Sequence, residues 1–303
     1  MGVMGLNRIF MMISKANASA KRIAAVVLAE DDLVQIPESE AAVTDRDEYI
    51  IFDHVTFNYG ADSLTADSSA FTEGGRKKCL NDIDFSMKKG GTLGIIGATG
   101  CGKTTIINLL MRFYDADSGN VFVDGKDVRT YDKDELHRMF GVVFQNDVIF
   151  ADTLKENITF GREVGEKDLV TAAEDARARE FIEAYEDTYE HKAAIHGPNL
   201  SGGQRQRILI ARALAAHPQI LVLDDSSSAL DYKTDAMLRK AIAQHHMDTT
   251  MIVVAQRISS IMNLDDIIVL EEGNIIGHGR HEELMESCQM YRDIFRTQMG
   301  EMK

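Results

Sequence analysis

Three stretches of the chain are apolar without alternation: Leu93-Gly94-Ile95-Ile96, Gly141-Val142-Val143-Phe144 and Ile220-Leu221-Val222-Leu223. All three read as strands, and the last, ending in acids, is of the kind expected in a parallel sheet covered on both faces. Val55-Thr56-Phe57-Asn58-Tyr59 reads as another strand, ending on an aromatic ring. Helical spacing appears in Thr105-Ile106-Ile107-Asn108-Leu109-Leu110-Met111 and in Ile208-Leu209-Ile210-Ala211-Arg212-Ala213-Leu214, and Tyr291 to Phe295 predicts a C-terminal helix. Strands alternating with helices place the chain in the α/β class.

The N-terminus follows a different pattern. Residues 1–13 are apolar but broken by Asn7 and Arg8, too short to span a bilayer, and without the basic start and cleavage site of a signal peptide. With residues 14–28 they read as one helix. The acid-rich segment from Glu30 to Glu48, with Pro37 inside it, reads as a linker.

Between the first apolar strand and the first helix lies Gly97-Ala98-Thr99-Gly100-Cys101-Gly102-Lys103-Thr104, which fits G-x-x-x-x-G-K-[ST]. Glycines let backbone N–H groups curl around a phosphate, and a helix N-terminus favours negative charge there. Lys103 is positioned to reach β- and γ-phosphates, and the Thr104 hydroxyl to ligate Mg²⁺, with Thr105 next in the cradle. Ile220 to Leu223 ends in Asp224 and Asp225. Ligands of parallel sheets bind at the carboxyl ends of strands, so Asp224 is a candidate to hold Mg²⁺ through water. By itself that second pattern is common; the phosphate loop upstream gives it weight.

The run Leu200-Ser201-Gly202-Gly203-Gln204, between a phosphate loop and an acid-tipped strand, resembles the signature of ATP-binding cassette (ABC) proteins. A Ser and two glycines at a helix start also make a plain helix cap. The resemblance implies a P-loop NTPase core with an antiparallel β subdomain and a helical subdomain. It assigns 1–28 to the cytoplasmic end of a last transmembrane-domain helix, 29–48 to an acidic linker and 49–303 to the nucleotide-binding domain. Within the last, 49–95 would be mostly antiparallel β, 96–140 and 215–277 the mixed core, and 147–212 the helical subdomain. ATP and Mg²⁺ are the implied cofactors. Two cassettes are implied to pack head to tail, with Ser201 to Gln204 closing over ATP held by the other subunit. Further roles follow only from the resemblance: Tyr59 stacks on adenine, Gln145 touches Mg²⁺, and Ser228-Ala229-Leu230-Asp231 crosses the dimer interface. Phe150 to Gly161 resembles the segment where a transmembrane domain docks its coupling helix.

Two positions depart from the family pattern. Hydrolytically competent members carry Glu after the metal-binding Asp, to position the attacking water; here it is Asp225, one methylene shorter. The family's switch histidine is replaced by Gln256, which can hydrogen-bond a γ-phosphate but cannot carry a proton or a positive charge. Both changes spare binding and harm hydrolysis, so the chain is most similar to the degenerate-site subunit of a heterodimeric multidrug-type exporter. Its partners would be a transmembrane domain and a second, different ABC subunit, at the cytoplasmic face of the plasma membrane. A homodimeric exporter ATPase, a soluble non-transport ABC ATPase and a nucleotide-gated scaffold without turnover are the other readings. Residues 195–199 lack the acidic run of symmetric exporters, which weighs against the homodimer.

Composition adds limits. The hydrophobic content of 45% is ample for a core, and the net charge of −15 argues against a nucleic-acid surface. Cys79, Cys101 and Cys288 form no C-x-x-C pair, so neither a disulfide framework nor zinc is indicated. His245, His246, His278 and His281 read as solvated or capping residues, and the polar stretch from Tyr59 to Leu80 as a solvated hairpin loop. Asn157-Ile158-Thr159 is formally a glycosylation sequon, irrelevant on a cytosolic face.

Overall fold

A computed structural model describes residues 2–28, 33–60, 79–194, 196–225 and 230–300. The polar stretch between Tyr59 and Leu80 therefore lies almost wholly outside the described residues, as do Ile195, Ser228 and Ala229. Contacts divide the chain into two units, 1–35 and 36–303.

The first unit is a single helix, α1 (Gly2–Val27), with Phe10, Met11, Met12, Ile13, Ile23, Val26 and Val27 exposed. Among the described residues no helix is long and apolar enough to cross a membrane.

The second unit is built on two sheets. β1 (Ile50–Phe57) pairs antiparallel with β2 (Leu80–Met87) and with β4 (Ser118–Val123), and β4 pairs with the short β5 (Lys126–Asp127). The other sheet holds β3 (Thr92–Gly97), β6 (Phe140–Val143), β7 (Ile220–Asp224), β8 (Thr250–Val254), β9 (Asp266–Glu271) and β10 (Asn274–Gly279), in the order β10-β9-β3-β8-β7-β6. All its neighbours are parallel except the edge strand β10. Three elements thus differ from the sequence reading. β3 lies inside the stretch expected to be antiparallel yet joins the parallel sheet, and β4 and β5 leave the expected mixed core to complete the antiparallel one. Pairing partners lie far away in sequence, and runs as short as these do not encode them.

The apolar runs are explained by the layers. Alternate residues of the central strands point to opposite faces. Leu93, Ile95, Ile220, Val222, Ile252 and Val254 pack against the antiparallel sheet and α2 (Lys103–Leu110), whereas Ile96, Leu221, Leu223, Met251 and Val253 pack against helices. β7 and β8 are buried along their whole length, which forbids polar alternation. α3 (Lys133–Arg138), capped by Asp132, packs against β6 through buried Leu136.

Between β6 and β7 the chain forms α4 (Leu154–Thr159), α5 (Glu166–Asp175), α6 (Arg179–Glu183) and α7 (Gly202–Leu214). The C-terminal part supplies α8 (Tyr232–His245), α9 (His281–Ser287) and α10 (Gln289–Met299). Residues 36–48, read as linker, hold to the second unit through Ile36 N–H donating to Arg129 O (3.0 Å) and Ala42 N–H donating to Asp127 Oδ2 (3.3 Å). The four histidines are not merely solvated or capping. His245 and His246 both contact the carboxylate of buried Asp175, at 2.5 and 3.0 Å, and His278 pairs with Asp266 at 2.6 Å. His281 meets the Tyr291 hydroxyl at 2.8 Å. Their acids and hydroxyl come from other elements, so inspection of neighbouring residues could not find them.

Candidate functional site

The phosphate loop leaves β3 and turns directly into α2. A Cβ on Gly97 would collide with Leu270 O and lie 2.7 Å from Cys101 Sγ. Gly102 has φ +108° and a Cβ there would meet Leu80 Cδ2 at 2.6 Å, so Gly97 is required for space and Gly102 for conformation as well. Ala98, Thr99 and Gly100 form the exposed crest, while Cys101 is buried beneath it. Lys103 Nζ bends over the loop, donating to Gly97 O (2.9 Å) and Ala98 O (2.8 Å), so its ammonium stands over the cradle.

The acid-tipped strand comes next to it. β3 and β7 both pair with β8, and Thr104 Oγ1 donates to Asp224 Oδ2 at 3.1 Å. Asp224 is only 3% exposed, and burial raises its pKa above the ordinary aspartate value, against the Thr104 hydrogen bond. Neighbouring Asp225 adds to the rise and Lys103 opposes it. A buried, incompletely neutralised carboxylate bonded to a hydroxyl beside an ammonium-crowned backbone loop fits the donor set of a hard divalent cation and a phosphate. Asp225 adopts φ +49°, a left-handed conformation that Asp tolerates better than most residues. Its carboxylate accepts a hydrogen bond from Gln256 Nε2 at 2.9 Å. Burial raises its pKa too, with Lys103 and Arg257 pulling it back.

The remaining candidates fall around this cluster. Gln145 is exposed two residues past β6, whose Val143 is in register with Leu223, so it stands at the same carboxyl edge of the sheet. Tyr59 is half-buried, edge-on to Phe57 and Tyr114 with centroids 4.9 and 5.1 Å away. Its hydroxyl donates to Thr105 Oγ1 (3.2 Å) and accepts from Asn108 Nδ2 (3.2 Å), which ties the ring to the start of α2.

The signature segment belongs to a different corner. Ser201 caps α7 in a reciprocal capping box, with Gln204 N–H donating to Ser201 Oγ (3.2 Å) and Ser201 N–H donating to Gln204 Oε1 (2.8 Å). Leu200 is buried under the turn, with Gly202 and Gly203 in the first turn of the helix. Its hydrogen bonds tie the segment to its own helix and leave the phosphate loop untouched. Leu230 is buried and Asp231 caps α8, accepting from Thr234 N–H (3.0 Å) and Thr234 Oγ1 (2.6 Å). Arg257 Nη1 donates to Leu230 O at 3.4 Å, linking the Gln256 loop to this segment.

Two buried residues escaped the sequence reading. Asn157, 1% exposed, takes Phe150 N–H on its Oδ1 (2.8 Å) and donates to Phe150 O and Thr153 O (both 3.0 Å). Arg212 donates to Asn157 O (2.8 Å) and Val148 O (3.1 Å). This latch shapes a surface on which Val148, Phe150 and Phe160 are 40%, 47% and 51% exposed, with the Arg212 guanidinium 4.6 Å from the Phe160 ring. The sequon is therefore a core element; its Asn side chain has no route to solvent. Nothing in the residue pattern distinguishes Asn157 from a surface asparagine.

Asp53, His54 and Asp84 lie close enough to share an ion, but Arg46 already bridges both acids, 2.9 Å from Asp84 and 3.4 Å from Asp53.

A parallel sheet whose central strand turns into a helix through a glycine-rich phosphate loop, beside an acid-tipped strand, defines a P-loop nucleotide-binding domain. Residues 80–228 match the ABC transporter family model. The chain is 38% identical over 294 residues to an uncharacterized ABC transporter ATP-binding protein of Bacillus subtilis (strain 168), covering 96% of this chain and 48% of that protein. It is 39% identical over 237 residues to the ATP-dependent lipid A-core flippase of Vibrio vulnificus (strain CMCP6), covering 78% and 41% respectively. The solved structure of a bacterial Atm1-family ABC exporter with ATP bound superposes with a TM-score of 0.81 at 28% identity, over 98% of this chain and 50% of that one. The chain thus carries the ATP-binding ATPase domain of an ABC transporter, of the kind found in the exporters it resembles, and it spans about half the length of the curated relatives it matches.

Proposed function

We propose that this chain is the ATP-binding half of a membrane exporter that works as a pair of different subunits, and that its own nucleotide site turns over slowly. The carrying observation is the Gln256–Asp225 hydrogen bond. The two residues that depart from the family's catalytic pair face each other. A Gln has no proton to exchange at neutral pH, and a carboxylate one methylene short and bound to that Gln is poorly placed to align a water.

Binding, by contrast, keeps its full donor set. Gly97 to Gly102 offer backbone N–H groups, Lys103 a charge for the β- and γ-phosphates, and Tyr59 a ring on which the base would stack. Thr104, Asp224 and Gln145 would hold Mg²⁺, which supplies charge neutralisation between phosphate oxygens when bound. Ser201 to Gln204, an N-terminal helix turn with exposed backbone donors, would serve the partner's ATP, and Leu230 and Asp231 would border that interface. Closure of the pair would then move the membrane halves. The patch of Val148, Phe150 and Phe160 suits a coupling helix: it is apolar, exposed, and held rigid from below by Asn157 and Arg212. The exposed apolar residues of α1 favour transport over a soluble ATPase, because such a helix needs further protein or lipid around it. The cytoplasmic face of the plasma membrane is the location this reading requires.

The test is Mg-ATP binding and steady-state hydrolysis by the chain, wild type beside an Asp225→Glu, Gln256→His double variant. Tight binding with negligible wild-type turnover that rises on the order of a hundredfold in the double variant supports a slow site. Brisk wild-type hydrolysis replaces this reading with a homodimeric exporter ATPase.

A further inference from the structure

We infer that Gln298, near the C-terminus, is a positioning residue for the loop that carries Gln256. This rests on the reading above that residue 256 faces the bound nucleotide.

α10 is anchored on one face by Tyr291, fully buried, and Phe295, 8% exposed. Gln298 lies three residues beyond Phe295 and seven beyond Tyr291, so it projects from the same face, over the segment where β8 has ended. There the backbone has left the sheet and its polar groups need other partners. The Gln298 side-chain amide supplies both kinds. Nε2 donates to Gln256 O at 2.6 Å, and Oε1 accepts from Ile258 N–H at 2.8 Å. One planar amide therefore spans the two ends of Gln256-Arg257-Ile258, as a neighbouring strand would. Ile258 is fully buried and opens a short 3-10 turn, so the grip holds the loop at its junction with the core.

The consequence reaches the site in two bonds: α10 fixes Gln256 by its carbonyl, and the Gln256 side chain reaches Asp225. A loop held at both ends keeps its side chain within a narrow range of positions, and a misplacement of about 1 Å can cost roughly a hundredfold in rate. Substrate affinity comes chiefly from the phosphate loop and does not depend on this grip. Loss of Gln298 should therefore lower kcat and leave KM nearly unchanged, for any residue at 256 that acts on the nucleotide.

The experiment has two readouts. Amide hydrogen exchange of the full chain compares wild type, Gln298→Ala and Gln298→Glu; hydrolysis is measured for the same changes in wild type and in the Asp225→Glu, Gln256→His background. Gln298→Ala is expected to speed exchange at Ile258 N–H about tenfold or more, with protection of Tyr291 to Phe295 retained. In the Asp225→Glu, Gln256→His background it is expected to lower kcat about tenfold or more, with KM for ATP within about twofold. Gln298→Glu keeps the acceptor for Ile258 N–H and loses the donor to Gln256 O, so it should fall between the two. Unchanged exchange at Ile258, or equal changes in kcat and KM, overturns the proposal. So does loss of α10 protection in both variants, since Gln298 would then serve folding alone. If the double background gains no turnover, the slow-site reading fails, and Ile258 exchange still decides whether the grip exists.

Discussion

Gln256 and Asp225, 31 residues apart in sequence, are joined by a 2.9 Å hydrogen bond from the amide nitrogen to the carboxylate. The bond makes the two departures from the family pattern one structural unit, so their effects should not add. Each of Gln256→Ala and Asp225→Ala should cost less than about 1.5 kcal/mol of stability, and the double variant less than the sum, with a coupling of about 0.5–1 kcal/mol. Chemical denaturation of the four-member cycle checks this; strict additivity would show that the bond contributes nothing in solution.

Asp224 predicts a trade between stability and cofactor. Burial raises its pKa, so the folded state holds the proton more tightly than the unfolded chain. That stability is fully present below the unfolded carboxylate value of about 3.9 and is lost as pH rises through the folded one. At neutral pH the ionised group therefore costs the nucleotide-free fold. Asp224→Asn should raise the Tm without nucleotide and weaken Mg-ATP binding by about tenfold to a hundredfold. Differential scanning fluorimetry with and without Mg-ATP reads both; a Tm that falls without nucleotide contradicts the burial argument.

His278 gives the opposite sign. Its hydrogen bond to Asp266 raises its pKa, outweighing burial. The resulting stability is fully present below the unfolded histidine value of about 6.5 and disappears as pH rises through the higher folded value. The Tm difference between wild type and His278→Gln should be largest near pH 6 and shrink toward pH 9. A difference independent of pH would mean that packing, and not charge, is what His278 contributes.

Asn157 is expected to be the costliest single polar site to change. Asn157→Ala leaves Phe150 N–H without a partner and takes one hydrogen bond each from Phe150 O and the Arg212 guanidinium, at about 2–4 kcal/mol. Urea unfolding measures the loss, and limited proteolysis should place new cleavage within residues 148–160. A loss under 1 kcal/mol would mean that water replaces the side chain freely.

Ser201→Ala separates a cap from a ligand. Losing the cap should cost about 1 kcal/mol of stability. If the segment also serves a partner's ATP, single-turnover trapping in the paired complex should show hydrolysis falling at the partner's site more than at this chain's own. Equal loss at both sites would reduce Ser201 to its cap.

The parts legible in the sequence are those whose physics is local. Glycine spacing, a lysine and a threonine define the phosphate loop because the loop is eight consecutive residues whose backbone does the binding. The acid-tipped strand and the Leu200 to Gln204 turn are contiguous for the same reason, and layered burial of β7 and β8 writes itself into unbroken apolar runs. Tertiary structure alone decided what meets across the fold. It put β3 in the parallel sheet and β4 in the other, turned a sequon into the Asn157–Arg212 latch, and brought His245 and His246 onto Asp175 from 70 and 71 residues away. It also set Gln256 against Asp225 and Gln298 against Gln256. Those contacts depend on sheet order and helix docking, which are fixed by the sum of many weak, distant burials, and no short run of residues carries that sum.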